Sequence, residues 1–176
     1  MFKEERTELQ FSWKDLGNIR EGRPNLGNST SVTMYRLMQY SLRDVLIRRF
    51  GPDLAGEILY ESGKSAGKEF CKNLMDTSLE KDAFIAELQH VLKEHGVGIF
   101  RVEEALENQN MTITIAEDLD CSGLPMSDET VCDYDEGFLA GVWETYTGKA
   151  FHVREVDCWA TGDRVCRFQA RPVQQG

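Results

Sequence analysis

The side chains best suited to chemistry converge in one stretch, Glu155-Val156-Asp157-Cys158-Trp159-Ala160-Thr161-Gly162-Asp163-Arg164-Val165-Cys166-Arg167-Phe168. Gly162 lies midway between Cys158 and Cys166, so a hairpin centred on it sets the two thiols opposite each other on one face. Glu155 stands three residues before Cys158, and Cys132 lies 23 residues before Glu155. Three thiolates and a carboxylate would fill the four tetrahedral positions of a zinc ion. The same residues also fit small buried side chains or a Cys158/Cys166 cross-strand disulfide. Strict strand alternation places Glu155 on the face opposite Cys158, so the metal reading needs a bulge. Without one, His152 and Cys121 are the substitute ligands.

These residues must be positioned by the elements around them. Thr7 to Trp13 alternates Leu9, Phe11 and Trp13, as a short strand does. Gly17 to Asn28 holds three glycines and Pro24 and reads as a loop. From Ser31 to Phe50 the apolar Met34, Leu37, Met38, Leu42, Val45 and Leu46 recur at helical spacing, closed by Gly51 and Pro52. A second helix runs from Pro52 to about Met75, and its Gly56, Gly63 and Gly67 suit close packing on a neighbour. A third is capped by Ser78, buries Ala83, Phe84, Leu88, Val91 and Leu92, and stops at Gly96. The period then drops to two in Ile99–Val102 and Met111–Ile115, a hairpin across polar 107–110. After an acidic loop, 117–135, come a short helix from Glu136 to Tyr146 and a second hairpin, Ala150–Trp159 with Val165–Ala170. Helices before strands indicate one α+β domain over residues 1–176, with N-terminal helices on an antiparallel sheet. Its parts are a strand and loop extension (1–30), a helical half (31–96) and a sheet half with the metal site (97–171).

The pattern Glu155-x-x-Cys158-x-x-x-Gly162-x-x-x-Cys166-x-Phe168, preceded by Cys132 and the helix Gly137 to Trp143, resembles the 4-vinyl reductase domain family. Arg23-Pro24-x-Leu26-Gly27 and Tyr35-Arg36-Leu37 extend the resemblance loosely into the helical half. The family includes sensor domains of bacterial activators that respond to phenol- and xylene-type aromatics, and a protein linked to bacteriochlorophyll synthesis. In the aromatic sensors a Cys, a Glu and two further Cys hold zinc at the same successive separations. The resemblance therefore implies zinc on Cys132, Glu155, Cys158 and Cys166. Four protein ligands leave no open position, so the implied metal is structural rather than catalytic.

The resemblance also implies a closed apolar cavity for a small ligand. Phe138, Val142, Trp143 and Tyr146 fall on one helix face, with Met34, Tyr35 and Met38 of the first long helix as the opposite wall. The same aromatic stripe fits plain core packing. The histidine and tryptophan that meet phenol in the sensors have no counterpart at the matching positions here, so phenol specificity does not carry over. A small hydrophobic or aromatic ligand, a homodimer and a separate signalling partner are the expectations. A tetrapyrrole 4-vinyl reductase, or an accessory protein of that chemistry, is the alternative, although no flavin or nicotinamide motif supplies electrons. A scaffold module is the third.

With 20 Lys and Arg against 30 Asp and Glu, the net charge of −10 repels phosphate backbones and argues against nucleic acid. Five cysteines, an odd number with no export signal, favour reduced thiols or metal ligands. No apolar run is long enough to span a bilayer, and a cytoplasmic location is expected. Gly63-Lys64-Ser65 lacks the earlier glycine of a phosphate loop, and the acidic loop lacks the calcium-loop order and reads as solvated.

Overall fold

The computed structural model describes residues 10–105 and 110–173. A one-turn helix α1 (Ile19–Gly22) precedes α2 (Val32–Phe50), α3 (Pro52–Leu74) and α4 (Lys81–Glu94). Strands β1 (Ile99–Ala105) and β2 (Met111–Ala116) follow, then α5 (Asp133–Thr147), β3 (Phe151–Asp157) and β4 (Cys166–Pro172). The sheet is antiparallel in the order β1-β2-β4-β3. It is the expected α+β domain, and β4 joins the two hairpins by pairing with both β2 and β3.

Several boundaries differ from expectation. From Gln10 the chain bends into a 3-10 turn, Trp13–Leu16, instead of a strand. Residues 7–9 lie outside those described, as do 106–109 of the β1–β2 connection. The stretch read as a loop contains α1, capped by the Asn18 side chain on the Glu21 N–H. Ser78 does not cap α4; its N–H and hydroxyl both donate to Asp76 Oδ1, and the helix starts after Glu80. The acidic loop ends earlier, at Cys132, because α5 begins at Asp133.

Helices α3 and α5 cross with their backbones nearly touching. A Cβ on Gly63 would lie 2.9 Å from the Tyr134 carbonyl carbon, and one on Gly137 would lie 2.8 Å from the Lys64 amide nitrogen. Gly67 and Gly141 meet Phe138 and Lys64 in the same way. The glycines that weaken each isolated helix are therefore what lets the two dock. This crossing lays α5 over the sheet, where Leu139, Val142, Trp143, Phe151, Val153 and Phe168 form the buried core with Phe84, Leu88 and Leu92 of α4.

Helix α2 forms as expected, with the Ser31 hydroxyl capping the Met34 N–H, yet it buries no residue fully. Its stripe Met34, Leu37, Met38, Leu42 and Val45 faces outward. The inward face is polar. Tyr35 donates to Asp120 Oδ1 at 2.8 Å and Tyr40 to the Asp120 carbonyl at 2.9 Å. Arg36 donates to the carbonyls of Leu119 and Asp118, and Arg43 to the Val131 carbonyl and Asp133 Oδ2. The helix is held by the acidic loop, not by the core.

Candidate functional site: a buried thiol cluster

Four segments meet at one point. Cys121 comes from the loop after β2, Cys132 from the residue before α5, Cys158 from just beyond β3, and Cys166 from the first position of β4. The four sulfurs all lie within 4.8 Å of one another, and each cysteine is at most 1% exposed. Cys132 Sγ is 3.9 Å from both Cys158 Sγ and Cys166 Sγ, and Cys121 Sγ is 3.0 Å from Cys166 Sγ. Zinc–sulfur bonds of about 2.3 Å in a tetrahedron put sulfurs about 3.8 Å apart, so the spacing around Cys132 fits such an ion. All five cysteines are free.

The turn that carries Cys158 is built locally. Thr161 accepts the Cys158 N–H and donates back to the Cys158 carbonyl, while Gly162 adopts φ 104°, open to glycine without strain. The bulge that the metal reading needs is present. Glu155 pairs with Phe168 and Asp157 with Arg167, so Val156 is extra on its strand and points to solvent. Glu155 and Cys158 thereby both turn inward. His152 stays on the exposed face, away from the sulfurs.

Of the expected ligands, Cys132, Cys158 and Cys166 are brought together, and Cys121, the substitute, joins them. Glu155 lies beside the cluster, accepting the Cys132 N–H on Oε2 at a long 3.4 Å, while its buried Oε1 has no partner. Burial, then the neighbouring Cys158 charge, pushes the Glu155 carboxyl up to about 8. Hydrogen bonds from the other three thiols hold the Cys158 thiol far below its usual range, and the same contacts push Cys132 far above it. One thiolate thus gathers the remaining protons, the state a metal ion would replace.

The acidic loop is not uniformly solvated. Glu117, Asp128 and Glu129 are exposed, but Asp118 and Asp120 are each only 3% exposed and sit behind the thiols. Burial, then the charge of Asp120, raises the Asp118 carboxyl to about 7. Calcium-loop spacing is the wrong guide to this cluster; the useful sign is that Asp118 stands three residues before Cys121 and Asp135 three after Cys132.

Comparison with known proteins places this geometry. The 4-vinyl reductase (4VR) domain matches residues 111–172, which contain all four clustered cysteines. The uncharacterized protein MJ1642 of Methanocaldococcus jannaschii is 32% identical over 149 residues, covering 84% of this chain and 81% of that protein. The chain belongs to the 4VR domain family. Two solved structures share the fold of this 4VR domain. A vinyl-4-reductase family protein of M. jannaschii aligns with TM-score 0.64 and 19% identity over 97% of this chain and 100% of its own. The phenol-responsive sensory domain of the transcription activator PoxR, solved with phenol, aligns with TM-score 0.64 and 18% identity over 81% of this chain and 75% of its own.

The expected ligand-cavity residues of the 4VR domain do not form one group. Trp143 and Val142 are in the core, and Tyr146 stacks on Phe84 at 3.9 Å with its hydroxyl donating to the Leu79 carbonyl. Phe138 meets Phe70 edge-on at 5.0 Å. Met34 and Met38 are on the outer face of α2, about 60% exposed, and Tyr35 points at Asp120. The Trp143 indole N–H is nonetheless buried without a partner. The Phe84, Tyr146 and Phe151 rings surround it.

Proposed function

We propose that this 4VR domain is a metal-clamped module that binds a small hydrophobic or aromatic molecule and acts through association, not catalysis. The observation that carries the reading is the convergence of four buried thiols from four separate segments. Cys132, Cys158 and Cys166 are the shared ligands, and Cys121 takes the fourth position, with Glu155 as the carboxylate alongside. A zinc ion bound there supplies a fixed cross-link with no open position for water or substrate. Around it, the chain does the rest. Thr161 holds the Cys158 turn closed, and the bulge at Val156 keeps Glu155 inward. The Cys132 carbonyl accepts the Glu136 N–H, which ties the cluster to the first turn of α5.

The ligand reading rests on Trp143, whose unpartnered buried donor inside an aromatic cage suits a small aromatic with an acceptor atom. The likeness to a phenol-responsive domain supports the same class of molecule. For the oligomer, the outward stripe of α2 supports pairing with a second copy of this chain. A stripe of Met and Leu side chains around half exposed is the kind of surface that association covers.

The test is metal analysis of the purified protein beside organic-solvent extraction and mass spectrometry. Zinc together with a stoichiometric small aromatic is the expected result. A chlorophyll precursor would favour reductase chemistry instead, and a metal-free chain with no extractable molecule would leave only a scaffold.

A further inference from the structure

We propose that the thiol cluster is one half of a two-cation centre, whose second half is Asp118, Asp135 and the shared Cys132. The inference rests on the metal reading of the thiols and extends it. A carboxylate oxygen of Asp118, one of Asp135 and Cys132 Sγ all lie within 4.8 Å of one another. Their residues are 3%, 8% and 1% exposed. Two backbone N–H groups, of Asp120 at 2.8 Å and Cys121 at 3.1 Å, hold one oxygen of Asp118 and so fix its direction. Asp135 Oδ2 is buried and has no hydrogen-bond partner.

The charge count favours a cation there. Asp118, Asp120, Asp135 and Glu155 are buried around four thiols, a concentration of acids that a single divalent ion on the thiols leaves uncompensated. The arginines within reach are used elsewhere. Arg36 donates to the carbonyls of Asp118 and Leu119, and Arg43 to the Val131 carbonyl and the Asp133 carboxylate. Among the described residues no lysine or arginine ion-pairs with Asp118 or Asp135. The first turn of α5 contributes a partial positive charge at Asp135 but no hydrogen bond to Oδ2.

The donor chemistry selects the ion. Two carboxylates with a thiolate suit a borderline divalent metal such as zinc, whereas calcium and magnesium take oxygen alone. A Cys132 thiolate has lone pairs for two ions, and its position between the sulfurs and the carboxylates gives it both. The spacing Asp118-x-x-Cys121 and Cys132-x-x-Asp135 places one carboxylate on each of the two segments that deliver thiols, so both halves of the centre form together.

The experiment is a zinc titration of the demetallated full chain, read as ions retained per chain after gel filtration, with cobalt as a spectroscopic replacement. The unaltered protein is expected to retain two ions. Asp118→Asn and Asp135→Asn should each retain one, with the thiolate-to-cobalt charge-transfer band kept. Asn at 118 still accepts the two backbone N–H groups, so the loop keeps its anchor. An unaltered protein that saturates at one ion, with both Asn variants the same, overturns the second site and leaves the thiol site standing. Retention of no ion overturns both.

Discussion

The fourth position on the thiol site is decided by comparing Cys121→Ser, Glu155→Gln and Cys158→Ser. All three side chains are buried, so each change removes a donor from a site that water does not enter. Cys121 Sγ sits 3.0 Å from Cys166 Sγ inside the sulfur group, whereas Glu155 holds only a long contact to the Cys132 N–H. A direct thiolate ligand should therefore cost more than a neighbouring carboxylate, for which about 10–100-fold in affinity is typical. We expect at least 100-fold weaker zinc binding for Cys121→Ser and Cys158→Ser, and at most that for Glu155→Gln. At fixed free zinc well above the dissociation constant, 100-fold is about 2.7 kcal/mol of folding stability. For a domain of this size that is a fall in Tm of roughly 5–10 °C. Zinc competition with a chromophoric chelator, run beside thermal melts in a zinc buffer, measures both. Full zinc retention by Cys121→Ser with loss in Glu155→Gln would refute this assignment and make the carboxylate the fourth ligand.

Three further outcomes concern other parts of the molecule. Gly63→Ala or Gly137→Ala should destabilise by about 1–3 kcal/mol or more despite a helix-propensity gain near 1 kcal/mol, because the new methyl meets backbone of the facing helix; denaturant melts that show either variant as stable as the parent would sink the close-crossing account. In chelator, the melting temperature should fall as pH rises from about 5 to 8. Burial raises Asp118 to about 7 and Glu155 to about 8, so the native state keeps protons that the unfolded chain releases and loses stability through that window. Zinc affinity should move the other way and rise with pH, since the ion displaces those protons; a metal-free melt that is flat or rises over the window counts against the buried acids. Finally, Met38→Glu with Leu42→Glu on the outer face of α2 should convert a dimer to monomer in light scattering without lowering the melting temperature of the monomer, and unchanged mass would place association elsewhere.

The sequence showed most where local rules dominate. Helical and strand periods located α2 to α4 and both hairpins, and Gly63 and Gly67 announced the close crossing before its partner helix was known. The thiols were legible through spacing, and even the bulge at Val156 could be inferred from the conflict between Glu155 and Cys158. What the pattern hid depends on tertiary context. Met34, Leu37, Met38 and Leu42 have the period of a core stripe, and periodicity alone does not say whether that stripe faces the core or the outside. Asp118 and Asp120 look like solvated loop charges until Tyr35, Tyr40 and Arg36 on α2 close over them. Cys121 counted only as a substitute because its loop returns to the cluster by a path that spacing does not encode. Trp143 stood in the expected aromatic stripe, but its lack of a partner is visible only in three dimensions.

The glycine crossing also decides which part of the domain is able to respond. Since α3 and α5 touch through main chain, neither can slide past the other without steric collision, and Cys132 rides on an anvil fixed at the start of α5. The loop bearing Cys121 and the short turn bearing Cys158 have no such bracing, and α2 leans on the former. A guest arriving near the aromatic cage, or an ion leaving the sulfurs, would shift those two light pieces against a stationary block, carrying the news outward to the exposed side of α2.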